Sequence, residues 1–426
     1  MTDANTTLIK NVSIFDGTSE KLSTGKDVVL SGNKINKIID AGSPEEGYDE
    51  VIDGGGGTLT PGMIDAHTHV ALCRPPFEIE SMRTLDYIGA LAAVEAERYL
   101  MRGFTTVRDV AGPTLSLKIL IDDGLVKGPR FFSSGAGLSQ TAGHGDMRLF
   151  NERAMYFSGD RFKMADYGFF YLADGVEEVR KACRDALAKQ VSQIKMCTGG
   201  GVTSLTDPLD SLQYTLEEIK AAVDEATRYG TYVAAHLHTD PGCKMAIEGG
   251  VRSLEHASLI EEDTVKLMVD KDVWVCPQSF IVSQPVEGNP TFTDPIQKRK
   301  FARAKEGTHN AFKWFKQYGA KVAWGTDMFG GRQAFDNTNK EFVTRTAYYS
   351  NVDVLKQATS ANGELLALSG MKHPYPGAKL GVIEKDAYAD LLIIDGNPIE
   401  DMKVMLDYEN NFKLIMKDGK VYKNTL

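Results

Sequence analysis

Six of the eight histidines in this chain stand where they could do chemistry together. His67 and His69 lie two apart in DAHTHV, a spacing that puts both imidazoles on one face of a strand. An HxH alone also suits two polar residues on an exposed edge strand, so the remainder of the set carries the argument. AAHLHT repeats the spacing with His236 and His238, EHAS supplies His256, and the glycine-rich AGHGD supplies His144. Lys195 in IKMC and Asp327 in GTD complete the group. Neutral imidazoles and a carboxylate are the ligands that a divalent transition-metal ion takes. His309, inside a helical stretch, and His373, beside Pro374, read as surface residues.

These residues are far apart in the chain, so the fold must gather them. GMIDAHTHV, FTTVRDV, PRFFSSG, SQIKMCTGGG, TYVAAHLHT, SLEHAS, DVWVCPQSF and KVAWGTDM read as eight short strands. Amphipathic stretches such as LDYIGALAAVEAERYLMRG and TLEEIKAAVDEATRYG separate several of them as helices. The expectation is an α/β protein, a (β/α)8 TIM barrel over residues 61–376, with its chemistry at the C-terminal strand ends. Every residue of the cluster falls at such an end or in the loop just beyond it. A doubly wound sheet is the alternative, but the chain has neither a GxGxxG nor a P-loop fingerprint. Residues 1–60 and 377–426 alternate in short strands and turns, and predict a small β-sandwich built from both chain ends.

Composition narrows the partners. The 426 residues carry 48 basic and 58 acidic side chains, a net charge of −10, which disfavours nucleic acid. No run approaches the roughly 20 apolar residues of a membrane helix. MTDANTTLIKN lacks the basic-then-apolar pattern of a secretory leader, so a cytoplasmic location is expected, although a trimmed leader would leave the same sequence. The five scattered cysteines form no CxxC, which argues against a disulfide framework or a structural zinc knuckle. A small-molecule substrate fits best.

The arrangement resembles the amidohydrolase superfamily over nearly the whole chain. HTH, a strand-four lysine, single histidines on strands five and six, and the aspartate of GTD reproduce its binuclear pattern. IKMCTGGGVTS, AAHLHT, EHAS and GHGD are similar to the imidazolonepropionase-like and Xaa-Pro dipeptidase-like branch, whose members include metal-dependent carboxypeptidases and ochratoxin-type amidases. The resemblance implies two divalent ions, with zinc the expected metal. His67, His69 and Asp327 would hold the buried ion, and His236 and His256 the more exposed one. It also implies that Lys195 is carboxylated by carbon dioxide, giving a carbamate that bridges the pair where a bare ammonium would repel it. A shared water, made acidic by the ions, would then attack an amide carbonyl while Asp327 passes its proton to the leaving nitrogen. By the same resemblance His144 and His238 would touch the substrate's carbonyl or carboxylate. Cys197 shares the inward face with Lys195 and is expected to pack, not to attack.

Between His144 and the helix beginning near residue 175 lies a long connection, of the kind that forms a lid or binding loop. Its aromatics Tyr156, Phe157, Phe162, Tyr167, Phe169, Phe170 and Tyr171 suit an apolar substrate side chain or a contact in a homo-oligomer. Arg148, Arg153 and Arg161 could meet a substrate carboxylate. QPVEGNPTFTDPI, after strand seven, is expected to rim the pocket. Among rivals, mononuclear deaminases and imidazolonases use no strand-four lysine of this kind. Hydantoinase-type cyclic amide hydrolysis and phosphotriester hydrolysis compete within enzymes, and a non-catalytic homologue competes from outside them.

Overall fold

Parallel strands supply the centre of the molecule, and both chain ends supply a separate sheet. The computed structural model describes residues 5–154, 159, 161–289 and 291–426. The N-terminal segment forms β1 (Thr6–Ile14), β2 (Ser23–Ser31), β3 (Lys34–Asp40), β4 (Glu50–Asp53) and β5 (Thr58–Pro61). There follow β6 (Met63–Thr68), β7 (Phe104–Asp109), β8 (Arg130–Ser133), β9 (Gly137–Ser139) and β10 (Phe170–Leu172). The chain continues through β11 (Ile194–Cys197), β12 (Val233–Thr239), β13 (Ser253–Leu259), β14 (Trp274–Cys276) and β15 (Lys321–Val322). The tail gives β16 (Leu391–Ile394), β17 (Phe412–Lys417) and β18 (Lys420–Asn424).

The central strands run parallel in two sheets, β6-β7-β8 and β10-β9-β11-β12-β13-β14-β15. Every residue of β6, β7, β11 and β12 is buried, as expected of parallel strands covered on both faces. Helices cover them, including Leu85–Met101, Val176–Ala188 and Leu216–Arg228. The last of these starts cleanly because Thr215 and Glu218 form a reciprocal capping box. Isolated backbone hydrogen bonds cross between the two sheets. Ala66 N donates to Trp324 O (3.0 Å) and Asp327 N to His67 O (2.8 Å) on one side. Ser192 N donates to Ser133 O (2.9 Å) on the other.

Two expectations change in detail. Two short strands follow β8: β9, which ends before His144, and β10, which falls within the connection expected as a lid or binding loop. The two chain ends, expected as a small sandwich, join in one hydrogen-bonded sheet of eight strands, ordered β18-β17-β16-β5-β1-β2-β3 with β4 beside β1. The join is β5 against β16, with Leu59 opposite Ile393. One face of this sheet buries its own apolar cluster, including Ile9, Val28, Leu59, Leu391 and Ile393. Among the described residues no helix is long and apolar enough to cross a membrane.

Candidate metal centre

β6 delivers His67 and His69 to one side of the cluster, and the segment after β15 delivers Asp327 to meet them. His67 Nε2 lies 3.4 Å, and His69 Nε2 3.3 Å, from Asp327 Oδ1. The junction is held from behind by Asp65, whose carboxylate accepts from His67 N, Thr326 N and Thr326 Oγ1. Asp327 itself sits at φ 53°, a left-handed conformation unusual for a residue with a side chain, which turns its carboxylate toward β6.

β12 and β13 bring the remaining imidazoles. His236 and His256 have ring centres 4.6 Å apart, and His67 and His256 4.9 Å. His238 stacks on His256 at 5.0 Å, and His144 on His236 at 4.0 Å. All six histidines of the cluster therefore meet, and Lys195 lines the same cavity as five of them. Among the described residues, His67, His256 and Asp327 each offer a ligand atom within 4.8 Å of the others.

The hydrogen bonds fix which ring nitrogen is free. His67 Nδ1 lies 2.7 Å from Glu255 Oε2 and His69 Nδ1 3.3 Å from Ala111 O, both groups that only accept. Those nitrogens therefore carry the protons, leaving each Nε2 with its lone pair facing inward. His256 Nδ1 likewise donates to Gln278 Oε1 (2.6 Å), whose amide nitrogen is tied to Cys276 O. Nε2 of His67 and of His236 is buried with no hydrogen-bond partner. Such atoms cost about 1–3 kcal/mol each when left unpaired, and a cation gives them a partner. The donor set fits a divalent metal ion.

Electrostatics point the same way. Burial alone would push the Asp327 carboxyl up, whereas positive charge beside it, which His67, His69 and His256 supply only when protonated and a bound cation would supply in their place, holds it below the usual range. Burial lowers His144 to about 4 and His238 to about 3, so both are neutral near pH 7. Burial also holds down His236, with the neighbouring imidazoles acting in the same direction, and His256, where Asp327 opposes it. Burial depresses the Lys195 amine, which makes no hydrogen bond or ion pair among the described residues. The Cys197 thiol is pushed up to about 12 by burial and is no thiolate.

The residue pattern leaves out a relay beneath the site. Glu255 accepts from Arg108 Nη2 at 2.8 and 2.9 Å through its two oxygens, while Arg108 Nε donates to Ala66 O at 2.5 Å. Burial would raise Glu255 and lower Arg108, but each holds the other ionised. Strict alternation would turn Glu255 away from the face that His256 occupies. The left-handed φ of His256 (71°) and Ala257 (48°) breaks that alternation, so adjacent residues both reach the centre. The available signal was the lone arginine in the apolar strand FTTVRDV, a charge that burial obliges to find a partner.

The proposed substrate residues divide. His144 and His238 line the inner cavity of about 100 Å³, held through Nδ1 by Ser204 Oγ (2.9 Å) and Ser258 Oγ (2.8 Å). Arg148 lines an adjoining cavity of about 1170 Å³, but both its Nε and Nη2 are spent on Asp146. Tyr167 donates its hydroxyl to Arg83 O (3.0 Å) and Arg153 is exposed; neither is among the described residues lining these two cavities. Of the expected lid aromatics, Phe170 reaches the inner cavity, whereas Tyr156 and Phe157 lie outside the described residues. Phe292, from the loop after β14, walls both cavities.

Parallel strand ends carrying buried imidazoles and a carboxylate give an α/β protein whose residues could hold a metal ion. The chain belongs to the amidohydrolase family, whose model matches residues 58–423. It is 30% identical over 391 residues to the ochratoxinase of Aspergillus niger, an alignment covering 86% of this chain and 75% of that protein. A crystal structure of a prolidase complexed with N-methylphosphonate-L-proline superposes with a TM-score of 0.90 at 31% identity, covering 99% of this chain and 100% of that one. A Xaa-Pro dipeptidase with bound methionine in its active site gives a TM-score of 0.86 at 28% identity, again covering 99% and 100%. An amidohydrolase acting on amide bonds is the activity class these relatives share.

Proposed function

We propose that this protein hydrolyses an amide joining an acyl group to an amino acid with a free carboxylate, as in a dipeptide or an N-acyl amino acid. The observation that carries the reading is the inner cavity. It is lined both by His69, Lys195, His236, His256 and Asp327 and by the apolar side chains of Ile281, Val282, Phe301, Ala304 and Phe312. It shares Met147, Thr203, Phe292 and Phe329 with the larger outer cavity, leaving space for a second, bulkier group. The names of the relatives, ochratoxinase and Xaa-Pro dipeptidase, support the same bond class.

In this reading residues 61–376 close as a (β/α)8 barrel, supported by the backbone bonds that cross between the two parallel sheets. Residues 1–60 and 377–426 form the accessory domain. His67, His69 and Asp327 would hold one divalent ion and His236 and His256 the other, and carboxylated Lys195 would offer its oxygens as further ligands. A depressed lysine pKa favours the neutral amine that must attack carbon dioxide. Zinc suits the imidazole-rich donor set. When bound, such ions polarise a carbonyl and make water a stronger acid.

The chain's own residues supply the rest. Asp327, ionised at neutral pH, accepts a proton on its carboxylate from the attacking water and delivers it to the leaving nitrogen. His144 and His238, being neutral, meet the substrate as hydrogen-bonding groups and not as cations. The apolar lining positions a hydrophobic side chain and keeps water from it.

The test is a screen of metal-replete enzyme on matched substrates with free or amidated C-terminal carboxylates. A hydrogen bond to a charged group contributes about 1.5–3 kcal/mol, so amidation should lower kcat/KM by roughly 10- to 150-fold. Asp327→Asn should depress both substrates alike. Equal cleavage of the two forms, or cleavage of cyclic amides or phosphotriesters alone, would sink this assignment.

A further inference from the structure

Lys300 is a buried cation outside the proposed metal centre, on the helix Pro295–Gln317. Its Nζ donates to Gly201 O (2.8 Å) and Ser204 O (2.7 Å) and lies 3.4 Å from Asp207 Oδ1. All three partners belong to one loop, the stretch that follows β11. Gln297, one turn earlier on the helix, donates to Thr203 O (2.6 Å) in the same loop. A buried lysine that makes only these contacts incurs a desolvation cost, and fixing this loop is what its contacts accomplish.

The loop in turn fixes His144. Ser204 Oγ meets the ring at Nδ1. Asp207 Oδ2 accepts from Gly201 N and from Gln213 Nε2, both at 3.0 Å. Gln213 Oε1 then accepts from the backbone N–H of His144 at 2.8 Å. Gly201 packs directly on the imidazole, where a Cβ would fall 2.1 Å from Nδ1, so only glycine allows this approach. His144 is thus gripped at its backbone and at its ring by two branches that meet at Asp207 and Lys300.

We propose that Lys300, through Asp207 and the 199–207 loop, is a positioning residue that sets the orientation of His144 in the substrate cavity. The inference rests on the proposed amide hydrolysis only for its kinetic readout. Lys300→Met keeps the stem of the side chain and removes its donors and charge. Ser204→Ala is a milder cut at the other end of the same branch. In the metal-replete full-length enzyme, Lys300→Met should lower kcat/KM about 10-fold and Ser204→Ala a few-fold, with bound metal unchanged. In a His144→Ala background neither should cost more than about 2-fold, because residues acting through one group are not additive. Hydrogen exchange followed by mass spectrometry gives a readout independent of catalysis. Lys300→Met should speed exchange in segments 199–207 and 143–147 and leave β6 and β12 as protected as before. Full additivity with His144→Ala, or unchanged exchange in both segments, would overturn the proposal. If no amide is cleaved by the unmodified enzyme, the functional reading falls, and the exchange data still decide this one.

Discussion

Two arginine–carboxylate pairs flank the cavity, and they make a useful comparison. Arg108–Glu255 lies beneath the metal centre with both side chains fully buried. Arg148–Asp146 lies at the rim, where the arginine side chain keeps 17% exposure. In both pairs the guanidinium reaches both carboxylate oxygens at short distance, Arg108 through Nη2 alone and Arg148 through Nε and Nη2. Their remaining contacts differ. Glu255 passes the interaction to His67 Nδ1, and so to an imidazole whose free nitrogen faces the centre. Asp146 passes it to Ala142 N, in its own loop. An ion pair contributes to chemistry when its carboxylate has a further partner in the site; otherwise it organises the segment that carries it.

The deep pair should be the more sensitive by a wide margin. Glu255→Gln leaves Arg108 as an uncompensated buried charge, which costs about 3–5 kcal/mol of folding stability. It also removes the carboxylate that orients His67, and such supporting partners are typically worth roughly 10- to 100-fold in metal affinity. Urea unfolding and metal titration of the same protein read both effects. A stability change under about 1 kcal/mol with full metal affinity would show that the relay is ornamental and would break the comparison.

Lys195→Ala probes the same centre from the cavity side. If the carboxylated amine bridges two ions, the loss should be on the order of 100-fold in kcat, at least that of losing a supporting partner. A short carboxylic acid in the buffer should recover part of it by replacing the carbamate oxygens. Elemental analysis should show near two divalent ions per chain in the unmodified enzyme and fewer in the variant. Unchanged activity in Lys195→Ala would remove carboxylation from the mechanism.

The contrast also explains what can be read from residues alone. His67, His69, His236 and His238 are legible because strand alternation puts residues two apart on one face, and parallel strand ends share one side of the fold. Glu255 is not, because the left-handed turn at His256 and Ala257 breaks that period and nothing in EHAS announces it. Arg108 is visible as a charge in an apolar strand, but its partner can only be found in three dimensions. The loop after β8 is least legible. Its arginines and tyrosines read as free to meet substrate, whereas Arg148 and Tyr167 meet nearby protein atoms first. The segregation of both chain ends from the central strands is evident in their turn-rich alternation. Their union in one sheet through β5 and β16 depends on pairing across the whole chain, which periodicity does not encode.

The smallest predicted effect is at the rim, and it decides how the substrate carboxylate is recognised. Among the described residues lining the outer cavity, Arg148 is the cation that a carboxylate would be expected to seek. Yet its guanidinium is already matched by Asp146 at 2.7 and 2.5 Å, and a second carboxylate would have to displace the first. Partly exposed pairs contribute about 0–1 kcal/mol, so Arg148→Ala should change kcat/KM for the free-carboxylate substrate by less than about 5-fold. The ratio between free and amidated substrates should stay the same, because the discriminating contacts are assigned to His144 and His238 deeper in the cavity. His144→Ala or His238→Ala should narrow that ratio instead. If Arg148→Ala abolishes the preference for a free carboxylate, then Arg148 leaves Asp146 to bind substrate. The rim pair would in that case be part of recognition, and the distinction drawn between the two arginines would fail.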